Sequence, residues 1–234
     1  MKAISTQLAV IGAGPGGYAA AFYAADLGME VTMIDPEKNP GGVCLHRGCI
    51  PSKALLHVAK LIHEARESQH WGVTFGAPQI DIDKLRTFKE NVVAKLTGGT
   101  GQLAKQRKIN HLQGTAVFKD AKTLTVTLPD GETVELTFRD AVIATGSRPT
   151  VVPSLAINSP RLWDSTGALE LTSVPKRRLI IGGGYIGLEM GTVYAALGSE
   201  VTVVEMMPGI LPGADRDLVR VLQKSLEAKF KAIL

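Results

Sequence analysis

Val10-Ile11-Gly12-Ala13-Gly14-Pro15-Gly16-Gly17 opens a pattern that returns 170 residues later as Ile180-Ile181-Gly182-Gly183-Gly184-Tyr185-Ile186-Gly187. The first copy runs on to Leu27-Gly28-Met29-Glu30-Val31-Thr32-Met33-Ile34-Asp35, the second to Leu197-Gly198-Ser199-Glu200-Val201-Thr202-Val203-Val204-Glu205. Each reads as a strand, a Gly-x-Gly-x-x-Gly turn, a helix, a glycine, a second strand and an acid. In both copies the acid falls 18 residues after the third glycine. A single glycine run of this kind is a weak signal. Two copies, each with the whole βαβ frame and the acid in register, predict two dinucleotide sites. The first glycine makes the tight turn, the second lets backbone approach a pyrophosphate, and the third lets helix pack on strand. The helix N-terminus stabilises the phosphate charge and the acid accepts from a ribose hydroxyl. Glycines serving packing alone leave both acids unexplained. The expected fold class is α/β, with two Rossmann-like units, the second incomplete. Glu205 repels a 2′-phosphate and no arginine follows it closely, which favours NAD over NADP. The next residues, Met206-Met207, are read as packing residues.

The two cysteines of the chain lie five residues apart in Gly41-Gly42-Val43-Cys44-Leu45-His46-Arg47-Gly48-Cys49-Ile50-Pro51-Ser52-Lys53. With no other thiol there is no disulfide framework. A disulfide needs Cα atoms within about 7 Å, which an ideal helix denies to residues i and i+5. The backbone must bend here, and Gly41, Gly42 and Gly48 permit it. Pro51 suits a first helical turn. Leu55, Val58, Leu61, Ile62 and Ala65 then follow at helical spacing. Cys49 is therefore expected at a helix mouth, where the N-terminal dipole and Lys53 one turn on favour a thiolate. The pair reads as a redox dithiol.

Of 234 residues, 45% are hydrophobic and 21% charged, a globular composition long enough for one large or two small domains. No apolar run approaches the roughly 18 residues of a membrane span. A strand at Leu8 to Ile11 leaves no room for a signal or transit peptide. A cytoplasmic setting is expected, and it suits a reducible pair. The net charge of +4 is dispersed. The denser spots, Lys176-Arg177-Arg178 and residues 105–108, lack interleaved aromatics and read as solvated faces rather than a nucleic-acid footprint. No metal site is expected.

Between the two copies, residues 85–97 carry a helical pattern (Leu85, Phe88, Val92, Leu96) that Gly98-Gly99-Thr100-Gly101 interrupts. Without a P-loop lysine this run is a turn or a close helix contact. Residues 122–139 alternate around Pro129-Asp130-Gly131, a hairpin signal. Residues 141–146, Ala141-Val142-Ile143-Ala144-Thr145-Gly146, read as a buried strand ending in a turn. Residues 147–160 read as a linker between domains.

These segments together resemble the flavin disulfide reductases, and within them the lipoamide-handling branch. Gly41 to Leu56 resembles the redox-active segment of that family almost residue for residue. Ala144-Thr145-Gly146-Ser147-Arg148-Pro149 resembles its strand-end motif near the flavin, and Trp163-Asp164-Ser165-Thr166 and Gly182 to Gly191 resemble the lipoamide branch. The resemblance spans essentially the whole chain. It implies an FAD-binding domain over 1–148 and the first half of an NAD-binding domain over 149–234. It also implies that a C-terminal dimer-interface domain, which carries a catalytic His–Glu pair, is absent from these 234 residues. The chain stops after a helix expected over 215–229, where a strand should begin. His46, His57, His63, His70 and His111 match no part of that His–Glu motif.

The resemblance also implies roles. Gly12, Gly14, Pro15, Gly16 and Gly17 would cradle the FAD pyrophosphate, and Asp35 would hold the adenosine ribose, where the family usually has the longer Glu. Ala116 would meet the adenine through its backbone. Gly41, Gly42, Val43, Ala144, Thr145 and Gly146 would flank the cofactor. Cys49 would be the charge-transfer thiolate, Cys44 the interchange thiol, and Lys53 would approach flavin N5 and pair with Glu189. Gly182, Gly184, Tyr185, Ile186, Gly187 and Glu205 would bind NAD. The implied activity is oxidation of protein-bound dihydrolipoamide, with hydride transfer to NAD. The implied partner is the lipoyl domain of a 2-oxo acid dehydrogenase complex or glycine cleavage system, the parent protein being a homodimer. Two other readings stand beside this one. The first is a reductase on the same plan for glutathione, mercuric ion or a thioredoxin-like partner. The second is a nucleotide-binding fragment without turnover, with Lys53 and Glu189 as surface charges.

Overall fold

The computed structural model describes residues 2–234. In chain order the elements are β1 (Lys2–Ile11), α1 (Pro15–Asp26), β2 (Val31–Asp35), α2 (Gly42–Arg47), α3 (Cys49–Glu67), α4 (Ile82–Gln106), β3 (Asn110–Gln113), β4 (Thr115–Asp120), β5 (Thr123–Thr127) and β6 (Thr133–Ile143). After them come α5 (Ser165–Glu170), β7 (Arg177–Ile181), α6 (Tyr185–Ala196), β8 (Glu200–Val204), α7 (Arg216–Glu227) and β9 (Ala232–Ile233). The chain packs as two units. One joins the residues up to Ile50 with Val92–Arg148, the other joins Pro51–Asn91 with Pro149–Leu234. Residues 51–91 thus pack with the residues from Pro149 onward. The reason is their apolar side chains: Leu55 and Leu85 belong to the core formed by Ile180, Val201 and Val203. Among the described residues no helix is long and apolar enough to cross a membrane.

The first unit is a six-stranded sheet in the order β3-β2-β1-β6-β5-β4. β3, β2, β1 and β6 run parallel, and β5 and β4 add antiparallel strands at one edge. From β1 the chain passes by α1 to β2 on one side, while β6 flanks β1 on the other. That reversal makes β1 the switch point of an open sheet, and ligands bind such sheets at the carboxyl ends of the strands beside it. All five residues of β2 are buried, as a strand covered on both faces requires. Leu8, Val10, Val31 and Met33 pack against Ala21 and Ala24 of α1. Ile11 and Ile34 pack with Leu124 and Leu136.

Two local expectations change. Residues 141–146 are exposed or half-buried rather than buried, Ile143 being 67% exposed. The hairpin partner β5 pairs only with Thr133–Thr137, so among the described residues the far end of β6 has β1 on one side and an open edge on the other. The helix around residue 97 is not interrupted: α4 continues through Gly98-Gly99-Thr100-Gly101 to Gln106. Gly101 serves as a close contact, since a Cβ there would lie 2.6 Å from Asn39 Oδ1. The hairpin at Pro129-Asp130-Gly131 forms, with Leu128 N–H donating to Glu132 O at 2.8 Å.

In the second unit β7, β8 and β9 form a parallel three-stranded sheet. Its inner residues Ile180, Val201 and Val203 pack against Leu188, Val193 and Tyr194 of α6 and Val219 and Leu226 of α7. The strand expected after the last helix does begin, as Ala232 and Ile233 pair with Thr202 and Val203.

Candidate active site

The first glycine turn sits where the strand ends converge. Gly12 N–H donates to Ile34 O and Ala144 N–H to Ile11 O, both at 2.8 Å, so the ends of β1, β2 and β6 are bound edge to edge. The third glycine of each copy occupies the same place. A Cβ on Gly17 would stand 1.8 Å from Gly12 O, and one on Gly187 would stand 2.4 Å from Gly182 O. Gly14 and Gly184 are the N-caps of α1 and α6, and neither offers a side-chain acceptor to the first-turn N–H groups. Helix-start donors left in this way are what a pyrophosphate cradle needs. A Cβ placed on Gly16 or Gly184 would meet no described atom within 4 Å, which leaves room for the phosphates.

Both acids do a second job that their spacing does not disclose. Asp35 Oδ2 accepts from Ala13 N–H at 2.7 Å, and its Oδ1 accepts from Glu37 N–H at 2.9 Å. Glu205 repeats this with Gly183 N–H at 2.7 Å and Met207 N–H at 2.8 Å. Each acid therefore ties its glycine turn to the loop residue two places beyond itself. A carboxylate has about four lone-pair sites, so two remain for a ribose. The N–H groups of Met207 and Gly183 hold the Glu205 carboxyl below the ordinary carboxylate range.

The cysteine segment folds as two helices broken at Gly48. Cys44 lies in α2 and Cys49 begins α3, and the two form a disulfide with Cα atoms 4.6 Å apart. The short helix α2 has no clear periodic signature; it supplies the bend that the spacing demands. The segment rests on the first glycine turn. Gly42 adopts φ +56°, and a Cβ on it would come within 2.4 Å of Gly14 Cα. Glycine at position 42 is what allows that approach, since a Cβ on Gly14 would stand 3.7 Å from Gly42 Cα, an ordinary contact. Gly41 N–H donates to Ala13 O at 2.8 Å. The preceding stretch is clamped: His46 Nε2 donates to Asn39 O at 3.1 Å, and Thr100 Oγ1 donates to Pro40 O at 2.5 Å. Arg47 Nη1 meets Glu37 Oε1 at 2.7 Å.

Ala144, Thr145 and Gly146 follow the end of β6, next to the turn, and Ala116 lies on β4 opposite Val126. Val43 is exposed on α2. In the second unit Lys53 Nζ and Glu189 Oε1 form an ion pair at 2.5 Å, so these two come together as the resemblance implies. Tyr185 and Ile186 are exposed at the start of α6. Met206 is 93% exposed and Met207 is also exposed, so the pair does not pack. They follow the strand end directly, in the segment that Glu205 holds by the Met207 N–H, and solvent rather than an apolar neighbour covers them.

One residue of the first unit carries no signature in the sequence. His111 on β3 pairs with Met33, two residues before Asp35. Its Nε2 is buried without a hydrogen-bond partner among the described residues. Burial pushes its pKa below the ordinary value of 6.5, and the nearby Asp35 charge opposes this. Only the strand register reveals the proximity. The turn cradle, the anchored acid and this polar atom fit an adenosine diphosphate moiety in the first unit. The cradle and Glu205 fit one in the second.

The model of the family described as pyridine nucleotide-disulphide oxidoreductase matches residues 6–231. The dihydrolipoyl dehydrogenase of Haemophilus influenzae is 53% identical over all of this chain, which covers 49% of that protein. The dihydrolipoyl dehydrogenase of Vibrio cholerae is 51% identical with the same coverage. Among solved structures, a Cu(II) complex of the HOCl-induced flavoprotein disulfide reductase RclA from Escherichia coli superposes with a TM-score of 0.82 at 30% identity. That match covers 99% of this chain and 49% of the other. The chain thus spans about half the length of the curated relatives it matches.

Proposed function

Because the chain belongs to the pyridine nucleotide-disulphide oxidoreductase family, we propose that its protein is a dihydrolipoamide dehydrogenase, using FAD in the first unit and NAD in the second. The observation that carries this reading is the Cys44–Cys49 disulfide seated on the first glycine turn through Gly42 and Gly14. A disulfide held against a dinucleotide cradle is what dithiol oxidation requires.

A thiolate of the dihydrolipoyl group attacks Cys44 Sγ. The Cys44–Cys49 bond breaks, a mixed disulfide forms, and Cys49 leaves as the thiolate. The second substrate thiol gives up its proton and attacks its own sulfur in that mixed disulfide. The cyclic disulfide product departs and Cys44 is left reduced. Lys53, one turn along α3 from Cys49, adds positive charge that favours the thiolate. The chemistry supplied by bound FAD is uptake of this electron pair, with hydride passed to NAD⁺. Around it, the chain's own groups do the positioning. Gly14 and Gly17 admit the pyrophosphate, Asp35 and Glu205 hold their turns shut and offer their free lone pairs to ribose, and Glu189 fixes the Lys53 ammonium. The acid segment without a following arginine selects NAD. The partner is the lipoyl domain of a multienzyme complex, the assembly a homodimer, and the compartment the cytoplasm, where a reducible pair can turn over.

A Cys44→Ser variant of the FAD-loaded protein tests the reading. It should retain flavin absorbance and show a long-wavelength charge-transfer band from the Cys49 thiolate, yet lose dihydrolipoamide oxidation. Dithiol oxidation at the wild-type rate would end the assignment.

A further inference from the structure

The ring closed by the disulfide holds two basic residues, His46 and Arg47, and one of them is tied to an anion outside it. We propose that the Glu37–Arg47 ion pair sets the redox poise of the Cys44–Cys49 couple, Glu37 competing with the newly formed thiolate for the Arg47 charge. This rests on the dithiol reading above.

Arg47 is two residues from Cys49 and three from Cys44, so chain geometry keeps its Cα within about 7 Å of the Cys49 Cα. Its side chain is partly shielded, at 41% exposure, and Glu37 is at 30%. In the oxidised protein the sulfurs carry no charge, and Arg47 pairs with Glu37 at 2.7 Å. Reduction adds two electrons and one proton and leaves one thiol and one thiolate. Two anions then compete for one guanidinium. A partly exposed pair of this kind is weak, so it can be redistributed when a second anion forms nearby in the chain. A neighbouring cation stabilises thiolate, and stabilising the reduced form makes a couple more oxidising.

Glu37 is placed to act as the competitor. Its N–H is held by Asp35 Oδ1, the acid whose other oxygen holds Ala13 in the glycine turn. His46 donates its Nε2–H to Asn39 O, which keeps the same stretch against the ring. Each link from the turn to Arg47 is a single hydrogen bond or ion pair. The arginine charge seen by the sulfurs is thus fixed by the segment that also forms the first nucleotide site.

The test is the equilibrium between the Cys44–Cys49 pair and dithiothreitol redox buffers, read by thiol alkylation and mass spectrometry on the FAD-loaded full chain. Glu37→Gln should raise the equilibrium constant for reduction about threefold, and Arg47→Ala should lower it about threefold. Each is about 14 mV for a two-electron couple. Arg47→Lys should restore most of the wild-type value, and 1 M salt should shrink the differences. Opposite displacements with rescue by lysine support the proposal. No displacement in either variant overturns it, and so does displacement of both in one direction, which would mark a loosened loop. Glu37→Gln and Arg47→Lys preserve side-chain size, so the comparison survives if Arg47→Ala folds poorly. A wild-type pair that stays oxidised across the whole buffer range would instead sink the dithiol reading.

Discussion

Asparagine in place of Asp35 exposes what the carboxylate does for the first glycine turn. Asp35 is 8% exposed, and its two oxygens accept one backbone N–H each, from Ala13 at 2.7 Å and Glu37 at 2.9 Å. Asparagine keeps one acceptor and sets an amide donor against the second N–H. A buried donor left unsatisfied costs about 1–3 kcal/mol. Both tryptophans, Trp71 and Trp163, lie in the second unit, so intrinsic fluorescence would miss the change. Amide hydrogen exchange at Ala13 and Glu37 reads it directly. At about tenfold per 1.4 kcal/mol, exchange at one or both amides should quicken by roughly 5- to 150-fold. Affinity for FAD should fall with it, because the turn that cradles the pyrophosphate opens more often. Glu205→Gln makes the same chemical change at the second turn. Glu205 is less buried, so water can replace the lost acceptor and the effect there should be smaller. Unchanged exchange at Ala13 and Glu37 in Asp35→Asn would refute the buttress argument. A larger effect at Gly183 than at Ala13 would refute the argument from burial.

Two further perturbations follow from the same unit. Burial holds the His111 pKa in the folded state below its ordinary 6.5. The unfolded chain then takes up the proton first as pH falls, so folded stability should decline below about pH 6.5 until the lower native pKa is reached. Urea midpoints by circular dichroism from pH 7.5 to 5.5 should drop more steeply for wild type than for His111→Leu, and parallel profiles would contradict this. Gly42→Ala places a Cβ in a left-handed conformation and 2.4 Å from Gly14 Cα. The expected cost is about 2–4 kcal/mol from backbone strain and overpacking together. A thermal midpoint equal to wild type would show that the two glycines do not meet.

The turns and the acids could be read because glycine pattern and spacing are local properties. Gly12 to Gly17 and Gly182 to Gly187 follow from the repeat, and the Pro129-Asp130-Gly131 hairpin from its turn chemistry. The destination of the acid lone pairs could not be read. A motif names a carboxylate at a strand end but not the backbone N–H groups that reach it, and here Ala13, Glu37, Gly183 and Met207 do. Packing partners were equally hidden. A glycine inside a helix costs up to about 1 kcal/mol against alanine, which argues for a break at Gly98-Gly99-Thr100-Gly101. The helix persists there because Gly101 closes on Asn39 and Thr100 binds Pro40, contacts about 60 residues away in the chain. His111 fits no histidine motif, and its significance appears only when β3 is laid beside β2. Nothing local tells which of two sheets an apolar helix face will cover, and only the packing puts Leu55 and Leu85 with Ile180 and Val203.

The two glycine turns share one backbone design but differ in what surrounds it. Around the first, Asp35 is buried, Glu37 is paired with Arg47, and Asn39 and Pro40 are clamped by His46 and Thr100. Opening that turn would break several contacts at once. Around the second, Glu205 is half-buried, and Met206 and Met207 stand in solvent directly after it. Opening that turn breaks the Gly183 and Met207 N–H bonds to Glu205 and also the Leu211 N–H bond to Gly183 O at 2.9 Å, in a loop that Arg216 Nη2 holds through Ile210 O and Leu211 O. Local opening free energy grows with the number of contacts that must be broken together. Both turns are therefore clamped from outside, the first by residues 37–40 and the second by residues 210–214, and the burial of the acid, Asp35 against the half-buried Glu205, is what separates their opening costs.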